Sequence, residues 1–453
     1  MVSVSGIRGI VGSSLTPRVI EKYISAFCHL QRKSSPNRTV ILGRDSRVSG
    51  PWITKIVEAI LIAMGFKVLE CGIVPTPTVQ FIVLQEKAVG GVIITSSHNP
   101  IEWNGLKFVD SDGLFFSPEK CTELFKIADM PGEIQWPSWK EAGSVVDYPD
   151  AISRHIQALL DLKEVNKEKV VKKKYKVVLD AVNGAGGPIM KQLLETFGCE
   201  VVGLNLEPTG IFGHTPEPVP ENLGDLCKAV LEHKADFGVA VDPDVDRCVF
   251  IDETGKPIGE EYTLAMAFQY WLGVCQKRGP TCKNLSSSRV LDDIAKQYGC
   301  QIYASPVGEI HVAKKMIEVG AVIGGEGNGG VMLPDLHIGR DAPVAATLAL
   351  QLLAGFNGTL SQLKGSLPQW YIIKKKASVV GIDPEKIIEE VTKEWQAKGA
   401  RINTSDGVRI ETEEWWVHIR KSNTEPIVRV IGEARSEPEA DLIVSQFAVK
   451  IGK

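Results

Sequence analysis

No hydrophobic run in this 453-residue sequence approaches the ~20 residues needed to span a bilayer. The first dozen residues carry Arg8 but no leucine-rich stretch, so we expect no secretory signal. The formal net charge is only −4, from 51 Lys and Arg against 55 Asp and Glu, and there is no basic stripe. Nucleic-acid binding needs clustered cations, so we expect a cytoplasmic protein with neither a nucleic-acid nor a membrane partner.

Cysteine is sparse and scattered, with nine residues, an odd number, and no CxxC pair. This pattern excludes a disulfide framework or a zinc site and is typical of buried thiols in a reducing compartment. Hydrophobic residues make up 44% and charged residues 23%, which is usual for a soluble globular protein. The length suggests three domains, possibly four.

A repeat organises the first three-quarters of the chain. An amphipathic helix, a glycine and a β-branched strand follow one another around Gly65, Gly198 and Gly299. In each segment the glycine lies where a helix ends and a left-handed residue is needed. Apolar strands at residues 39–45 and 175–182 precede the first two segments, so the order strand, helix, strand predicts right-handed crossovers and a largely parallel sheet.

Each repeat continues into a second apolar strand, which ends in a polar loop. The strands GGVIIT, DFGVAVD and GAVIGG lead into SSHNP (residues 96–100), DPDVDR (residues 242–247) and GEGNGG (residues 325–330). We name these the serine loop, the aspartate loop and the sugar loop. Open α/β sheets bind ligands at the carboxyl ends of their strands, so the three loops are expected to share one cleft.

The remainder, after about residue 377, has a helix over residues 384–398, two alternating strands and a helix over residues 437–450. The predicted fold is therefore α/β: three similar βαβ-containing domains with mixed, largely parallel sheets, plus a small C-terminal α+β domain, around a central cleft. The predicted boundaries are 1–148 for the serine loop, 149–253 for the aspartate loop, 254–366 for the sugar loop and 367–453 for the last domain.

Three carboxylates alternate in the aspartate loop, at Asp242, Asp244 and Asp246. Their mutual repulsion favours a hard cation between them, Mg²⁺ or Ca²⁺. An EF-hand is disfavoured because Arg247 stands where its glycine is required, although a structural Ca²⁺ site and a metal-free polar loop stay open as alternatives. Arg247 also suggests an anionic substrate beside the ion.

Ser97 is the candidate nucleophile, because a hydroxyl at a strand end can be activated by a base or a metal. The alternative is an ordinary turn of Ser, Asn and Pro residues. No GxSxG elbow occurs, which disfavours a serine hydrolase of that class.

The sugar loop has GxGxxG spacing, but the dinucleotide fingerprint requires a following helix, and Pro334 soon follows instead. We expect Glu326 and Asn328 to hydrogen-bond sugar hydroxyls. The last loop offers arginines and hydroxyls that can clamp a phosphate, with a solvated hairpin turn as the alternative. These clamp residues are Arg420, Ser422, Asn423, Thr424 and Arg429.

Together, TSSHNP, DPDVDR, GEGNGG and SNTEP in this order resemble the α-D-phosphohexomutase family, which comprises phosphoglucomutase, phosphomannomutase and phosphoglucosamine mutase. The resemblance runs from SGIRG at residues 5–9 essentially to the end of the chain. It implies that Ser97 is a phosphoserine and that Ser97 and the three aspartates bind Mg²⁺. It also implies catalytic roles around the phosphoserine for Arg8, His98, Lys107 and Arg247, with Lys107 a candidate acid and base.

The implied reaction interconverts hexose 6-phosphate and hexose 1-phosphate through a 1,6-bisphosphate, which also serves as activator. Asn328 and Gly330 depart from the Ser and His of many relatives, so the resemblance does not supply a His contact near the phosphoserine. SNTEPIVRV and HIGRDA resemble an archaeal-type phosphoglucosamine mutase, so glucosamine 6-phosphate is the expected substrate. Alternatives are a phosphoglucomutase/phosphomannomutase, a non-catalytic sugar-phosphate sensor or a Mg²⁺ phosphatase. We expect small hexose phosphates as partners and a monomer or homodimer.

Overall fold

The computed structural model describes residues 2–3, 6–378, 383–421 and 427–451 of the 453-residue chain. These residues form four separate β-sheets of seven, four, four and five strands, with helices packed against them. The first three sheets are mixed and largely parallel, and the fourth is antiparallel. The predicted α/β class with a C-terminal α+β domain is confirmed.

The first sheet has the strand order β1-β2-β6-β5-β3-β4-β7. Strands β3, β4, β5 and β7 run parallel, and β6 pairs antiparallel with β5. The strands are β1 (Val2–Ser3), β2 (Gly6–Ile10), β3 (Thr39–Arg44), β4 (Lys67–Ile73), β5 (Gly90–Ile94), β6 (Trp103–Asp110) and β7 (Ser144–Asp147). The helices are α1 (Pro17–Ser34), α2 (Gly50–Ala63), α3 (Thr76–Gln85) and α4 (Pro118–Asp129), followed by 3₁₀ turns at Pro131–Glu133 and Trp139–Glu141.

The second sheet has the order β11-β10-β8-β9 and the third β13-β12-β14-β15. Around the second lie α5 (Ala151–Leu160), α6 (Lys167–Val171), β8 (Lys176–Asp180), α7 (Gly186–Thr196), β9 (Glu200–Leu204), a 3₁₀ turn (Pro220–Asn222), α8 (Gly224–His233), β10 (Phe237–Val241) and β11 (Cys248–Asp252). The third comprises α9 (Glu260–Phe268), a π-helical segment (Gln269–Val274), β12 (Thr281–Asn284), α10 (Val290–Gln297), β13 (Ile302–Ser305), α11 (Glu309–Val319), β14 (Ile323–Glu326), β15 (Gly330–Met332), α12 (Ala342–Gly355) and α13 (Leu360–Ser366).

One topology recurs in all three sheets. Three parallel strands carry an antiparallel neighbour, in the orders β4-β3-β5-β6, β9-β8-β10-β11 and β13-β12-β14-β15. Gly65, Gly198 and Gly299 have φ values of +82°, +76° and +68°, so each ends its helix in the left-handed region, as the repeat predicts. In these three sheets the serine, aspartate and sugar loops each join a parallel strand to the antiparallel strand beside it.

Hydrophobic packing fixes the ends of these strands. Every residue of β5 and of β10 is buried, so the chain can become polar only after each strand ends. The largest core cluster runs through the second and third sheets and reaches Trp370. The serine, aspartate and sugar loops therefore emerge from rigid, buried strands.

The fourth sheet has the order β16-β20-β19-β18-β17. Its elements are β16 (Tyr371–Ser378), α14 (Pro384–Ala397), β17 (Arg401–Asn403), β18 (Val408–Glu411), β19 (Trp416–Lys421), β20 (Ile427–Ala434) and α15 (Glu437–Ile451). Across the described residues, no single helix has the length and apolar character to cross a membrane. The pair α12 and α13, bent by 91°, meets that test only when the two are taken together.

Candidate active site

The serine loop is held in a strained conformation. Ser97 is 2% exposed and has a φ of +51°, in the left-handed region that non-glycine residues rarely adopt. Its backbone N–H donates to Thr95 Oγ1 at 2.9 Å, and the Thr95 hydroxyl donates to Asp45 Oδ2 at 2.6 Å. Such strain persists where the surroundings over-determine the backbone, and it is concentrated at functional sites.

Arg47 is the group that fixes this loop. Its fully buried guanidinium pairs with Asp45 at 3.1 Å. It also donates to the carbonyl oxygens of Ser97 at 2.7 Å, Asn99 at 2.6 Å, Pro100 at 2.6 Å and Trp103 at 2.8 Å. Arg47 was not predicted from the sequence. The polar segment GRDSR (residues 43–47), at the end of β3, could have indicated it. Strand β3 pairs with β5, so the carboxyl ends of the two strands lie at the same edge of the sheet.

The Ser97 hydroxyl lies where two sheets meet. Its Oγ is 3.3 Å from Asp242 Oδ2, which lies 145 residues away in the chain, and 3.2 Å from His98 Nδ1. Burial, followed by the nearby Arg247 and Arg8 charges, lowers the pKa of His98 well below its ordinary value. His98 is therefore a neutral hydrogen-bonding partner of Ser97 at neutral pH.

The three aspartates converge in the loop between β10 and β11. All are buried, and one oxygen from each lies within 4.8 Å of the others. Burial, then repulsion from Asp246 and Asp244, raises the pKa of Asp242 well above its ordinary value. Within the described residues, Asp244 Oδ1 and Asp246 Oδ1 are buried without a hydrogen-bond partner. Unsatisfied carboxylate oxygens at this spacing suit a hard divalent cation.

Cations surround this cluster. Lys107 Nζ, on β6, is 2.6 Å from Asp244 and 3.8 Å from Asp246. Burial alone would raise the pKa of Asp244, but Lys107, the Thr76 hydroxyl and Arg340 together outweigh burial and lower it below its ordinary value. Arg247 Nε lies 3.7 Å from Asp246, and Arg8 Nη1 donates to Asn99 Oδ1 in the serine loop at 3.0 Å. The four positively charged or polar groups predicted around Ser97 thus lie together with the aspartates.

Three further residues near this centre were not foreseen from the sequence. Thr76, at the start of α3, donates its hydroxyl to Asp244 Oδ2 and its N–H to the Asp244 carbonyl, each at 2.9 Å. Glu217 lies 3.4 Å from Arg247 Nη1 and 3.9 Å from His98 Nε2. Arg340, described below, is the third.

The sugar loop is the turn of an antiparallel hairpin, in which Glu326 pairs with Gly330 across β14 and β15. A strand, β15, follows the glycines. A dinucleotide-binding fingerprint would need a helix at that position. The Glu326 carboxylate is 3% exposed and accepts hydrogen bonds from Asn284 Nδ2 at 2.7 Å, Gly308 N at 2.8 Å and Arg340 Nη1 at 2.9 Å. About one lone-pair position remains for a sugar hydroxyl. Asn328 is half-buried, and its Oδ1 has no hydrogen-bond partner among the described residues.

Arg340 links the sugar loop to the aspartates. Its Nη2 lies 2.5 Å from Asp246 Oδ2, and its Nε lies 3.2 Å from Glu309 Oε2, in addition to the Glu326 contact. Burial raises the pKa of Glu309 to about 7. Because these partners are far apart in sequence, no local pattern singled out Arg340.

The clamp is described only in part. Arg420 and Arg429 are Cα partners on β19 and β20, and Arg420 Nε lies 3.2 Å from Asp406. Arg429 is exposed. Ser422, Asn423 and Thr424 lie outside the described residues.

A second buried cluster lies beside the site. His155 Nε2 and His337 Nε2 are 2.9 and 2.8 Å from the same oxygen of Asp341, and Thr78 bonds His155 Nδ1 at 2.9 Å. These three side chains, two His and one Asp, could hold a metal ion. His337 Nε2 is hydrogen-bonded to Asp341, whereas His155 Nε2 makes only an ion-pair contact with it, so one Asp shared by two imidazoles links α3 and α5 to the start of α12.

Four family models match the chain in order. They are the α/β/α domains I, II and III of phosphoglucomutase/phosphomannomutase, over residues 2–133, 153–255 and 260–371, and the C-terminal domain of the same family, over residues 375–450.

Comparison with individual proteins indicates the same family. The Methanopyrus kandleri protein named "Probable phosphoglucosamine mutase" is 36% identical, over 98% of this chain and 96% of its own length. The Thermococcus kodakarensis protein named "Phosphoglucomutase/phosphomannomutase" is 37% identical, over 96% of this chain and 94% of its own. A crystal structure of a phosphoglucomutase/phosphomannomutase family protein from Burkholderia thailandensis has a TM-score of 0.86 at 26% identity, covering 100% of this chain and 98% of that one.

Proposed function

The chain belongs to the phosphoglucomutase/phosphomannomutase family of mutases, and we propose that it interconverts hexose 6-phosphate and hexose 1-phosphate through a phosphorylated Ser97. The observation that carries the mechanism is the 3.3 Å approach of Ser97 Oγ to Asp242, from two different sheets. This contact places the Ser97 hydroxyl, whose backbone is strained, beside a cluster of carboxylates that is suited to binding a cation.

In the proposed transfer, a sugar hydroxyl attacks the phosphorus of phosphorylated Ser97. The bond from phosphorus to the sugar oxygen forms as the bond to Ser97 Oγ breaks, and the proton of the sugar hydroxyl passes, by way of Lys107 as the proposed base and acid, to the released Ser97 oxygen. The product is a hexose 1,6-bisphosphate, which reorients and returns its other phosphoryl group to Ser97. The same bisphosphate is the proposed activator, because it phosphorylates an unmodified Ser97.

Asp242, Asp244, Asp246 and the Ser97 phosphate are the proposed ligands of Mg²⁺. When bound, the ion would offset charge on the transferred phosphoryl group. Arg8 and Arg247 supply further positive charge near the serine loop. His98 orients the Ser97 oxygen, and Lys107 is the proposed acid and base, as the family resemblance implies.

Glu326 and Asn328 are the proposed sugar contacts, and the clamp residues are proposed to hold the phosphate that does not react. Arg420 and Arg429 can bind that phosphate with two charge-assisted donors. Because the substrate must bind in two orientations, the clamp has to accept phosphate from either end of the sugar. Movement of the fourth domain would allow this exchange.

Glucosamine 6-phosphate is the proposed substrate, with glucose and mannose phosphates as the alternative. The motifs SNTEPIVRV and HIGRDA support the amino sugar, but the relatives named above carry both activities in their names at nearly equal identity.

The test is ³¹P NMR of the protein with Mg²⁺ and, separately, the 6-phosphates of glucosamine, glucose and mannose, each with a trace of its 1,6-bisphosphate. A growing 1-phosphate signal is expected, fastest with glucosamine 6-phosphate. A faster reaction with glucose or mannose would overturn the substrate proposal. Stoichiometric release of inorganic phosphate would indicate a phosphatase instead, and binding without turnover would indicate a sensor.

A further inference from the structure

Arg340 connects the aspartate loop to the sugar loop, and it has no role in the mechanism proposed above. Its guanidinium contacts Asp246 in the aspartate loop and Glu326 in the sugar loop, and it also contacts Glu309 at the start of α11. The side chain is 10% exposed. Three planar contacts in different directions require the fork of an arginine, which a lysine cannot reproduce.

Gly330 makes room for this side chain. A Cβ added at Gly330 would lie 2.4 Å from Arg340 Cδ and 2.8 Å from Arg340 Cγ, closer than real Cβ contacts. The obstructed atoms belong to the middle of the side chain, so its guanidinium could not stay where it is. Gly330 is also the hairpin partner of Glu326, one of the groups that Arg340 contacts.

The backbone around Arg340 is anchored to both loops. The next residue, Asp341, donates its N–H to the Val331 carbonyl at 2.9 Å and caps α12 by accepting from Val344 N at 2.9 Å. Ala342 N donates to the carbonyl of Val245, between two of the aspartates, at 3.2 Å. The Arg340 side chain therefore starts from a fixed point and has little freedom of direction.

We propose that Arg340 is a positioning residue of the phosphoryl transfer, which orients Asp246 relative to the sugar loop, and that position 330 lacks a side chain because Arg340 passes over it. This inference rests on the proposed function. Displacing a group near the reacting atoms by about 1 Å can lower a rate by about 100-fold, so the effect should be large and should fall on kcat.

The first experiment uses Arg340→Gly, which opens a space for a small planar cation. We expect kcat to fall at least about 100-fold, with a smaller change in KM for the sugar phosphate. Added guanidinium should restore at least about tenfold of the lost rate, whereas urea, which has the same shape without the charge, should not. An unchanged kcat, or equal rescue by urea, would overturn the proposal.

The second experiment leaves the arginine in place and blocks its path. Gly330→Ala should lower kcat as Arg340→Gly does, without rescue by guanidinium because the space is filled. Gly365→Ala is the matched control, because a Cβ there meets nothing within 4 Å. Wild-type kcat in Gly330→Ala would contradict the inference even if Arg340→Gly failed to fold.

Hydrogen–deuterium exchange of the metal-free proteins separates this inference from the proposed function. Faster exchange is expected at the amides of Asp246 and Arg247, which bond Asp242 Oδ1, in both Arg340→Gly and Gly330→Ala but not in Gly365→Ala. If wild type shows no mutase activity while these exchange changes occur, the proposed function fails, and what stands is that Arg340 orients Asp246 in the aspartate loop. If wild type turns over and neither variant alters kcat or exchange, the positioning role fails and the function stands.

Discussion

The clearest test of how the serine loop is built is Arg47→Lys. This change keeps one positive charge but replaces five donors in a planar fork by three donors on a flexible stem. Arg47 currently serves the Asp45 carboxylate and four backbone carbonyls, all with its side chain fully buried. The lysine therefore leaves at least two buried acceptors without a partner.

The expected cost follows from those acceptors. Each buried acceptor left unsatisfied costs about 1–3 kcal/mol, so two of them lower the free energy of unfolding by about 3 kcal/mol. The loop should also lose the restraint that holds Ser97 at a positive φ, and kcat should fall at least about tenfold because the nucleophile is misplaced.

Urea unfolding followed by tryptophan fluorescence measures the first effect, and steady-state kinetics the second. Arg401→Lys is the control, because that side chain is 75% exposed and should change stability by less than about 0.5 kcal/mol. A wild-type unfolding midpoint together with a wild-type kcat in Arg47→Lys would mean that Arg47 does not hold the serine loop in place.

Three further predictions follow from the buried charges. EDTA should abolish activity and Mg²⁺ should restore it, and full activity after chelation would mean that the aspartate loop does not bind an ion. Asp341→Asn removes the anion shared by His155 and His337, so it should lower the free energy of unfolding by about 3 kcal/mol in urea titrations; an unchanged midpoint would contradict a stabilising role for the shared carboxylate. Burial raises the pKa of Glu261 to about 8 from an ordinary 4.5, so the folded state binds the extra proton and wild type should lose stability as pH rises through that window. Glu261→Gln should not share this loss, and parallel melting curves from pH 5 to pH 8 would contradict it.

The topology could be predicted from the sequence because it depends on short sequence patterns that mark where helices and strands end. Gly65, Gly198 and Gly299 mark helix ends through their left-handed φ values, and the fully apolar β5 and β10 end in abrupt polar loops. Ser97 and the three aspartates were found in this way, since a polar residue after a buried strand stands out without any knowledge of its neighbours.

The residues that were not predicted have roles that depend on contacts between distant parts of the chain. Thr76 reaches Asp244 across 168 residues, and Gln80 donates to Glu309 across 229. Arg47 and Arg340 each serve several partners that no local pattern brings together. For Glu326 the sequence predicts a contact to a sugar hydroxyl, but it does not show the three donors that hold its carboxylate, because they come from other parts of the chain.

Intact-protein mass spectrometry after incubation with Mg²⁺ and glucose 1,6-bisphosphate shows whether Ser97 carries the phosphoryl group. Wild type should gain one phosphoryl group, peptide mapping should locate it on Ser97, and Ser97→Ala should gain none and lose turnover while keeping its melting temperature. A phosphoryl group found elsewhere, or full mutase activity in Ser97→Ala, would rule out Ser97 as the carrier.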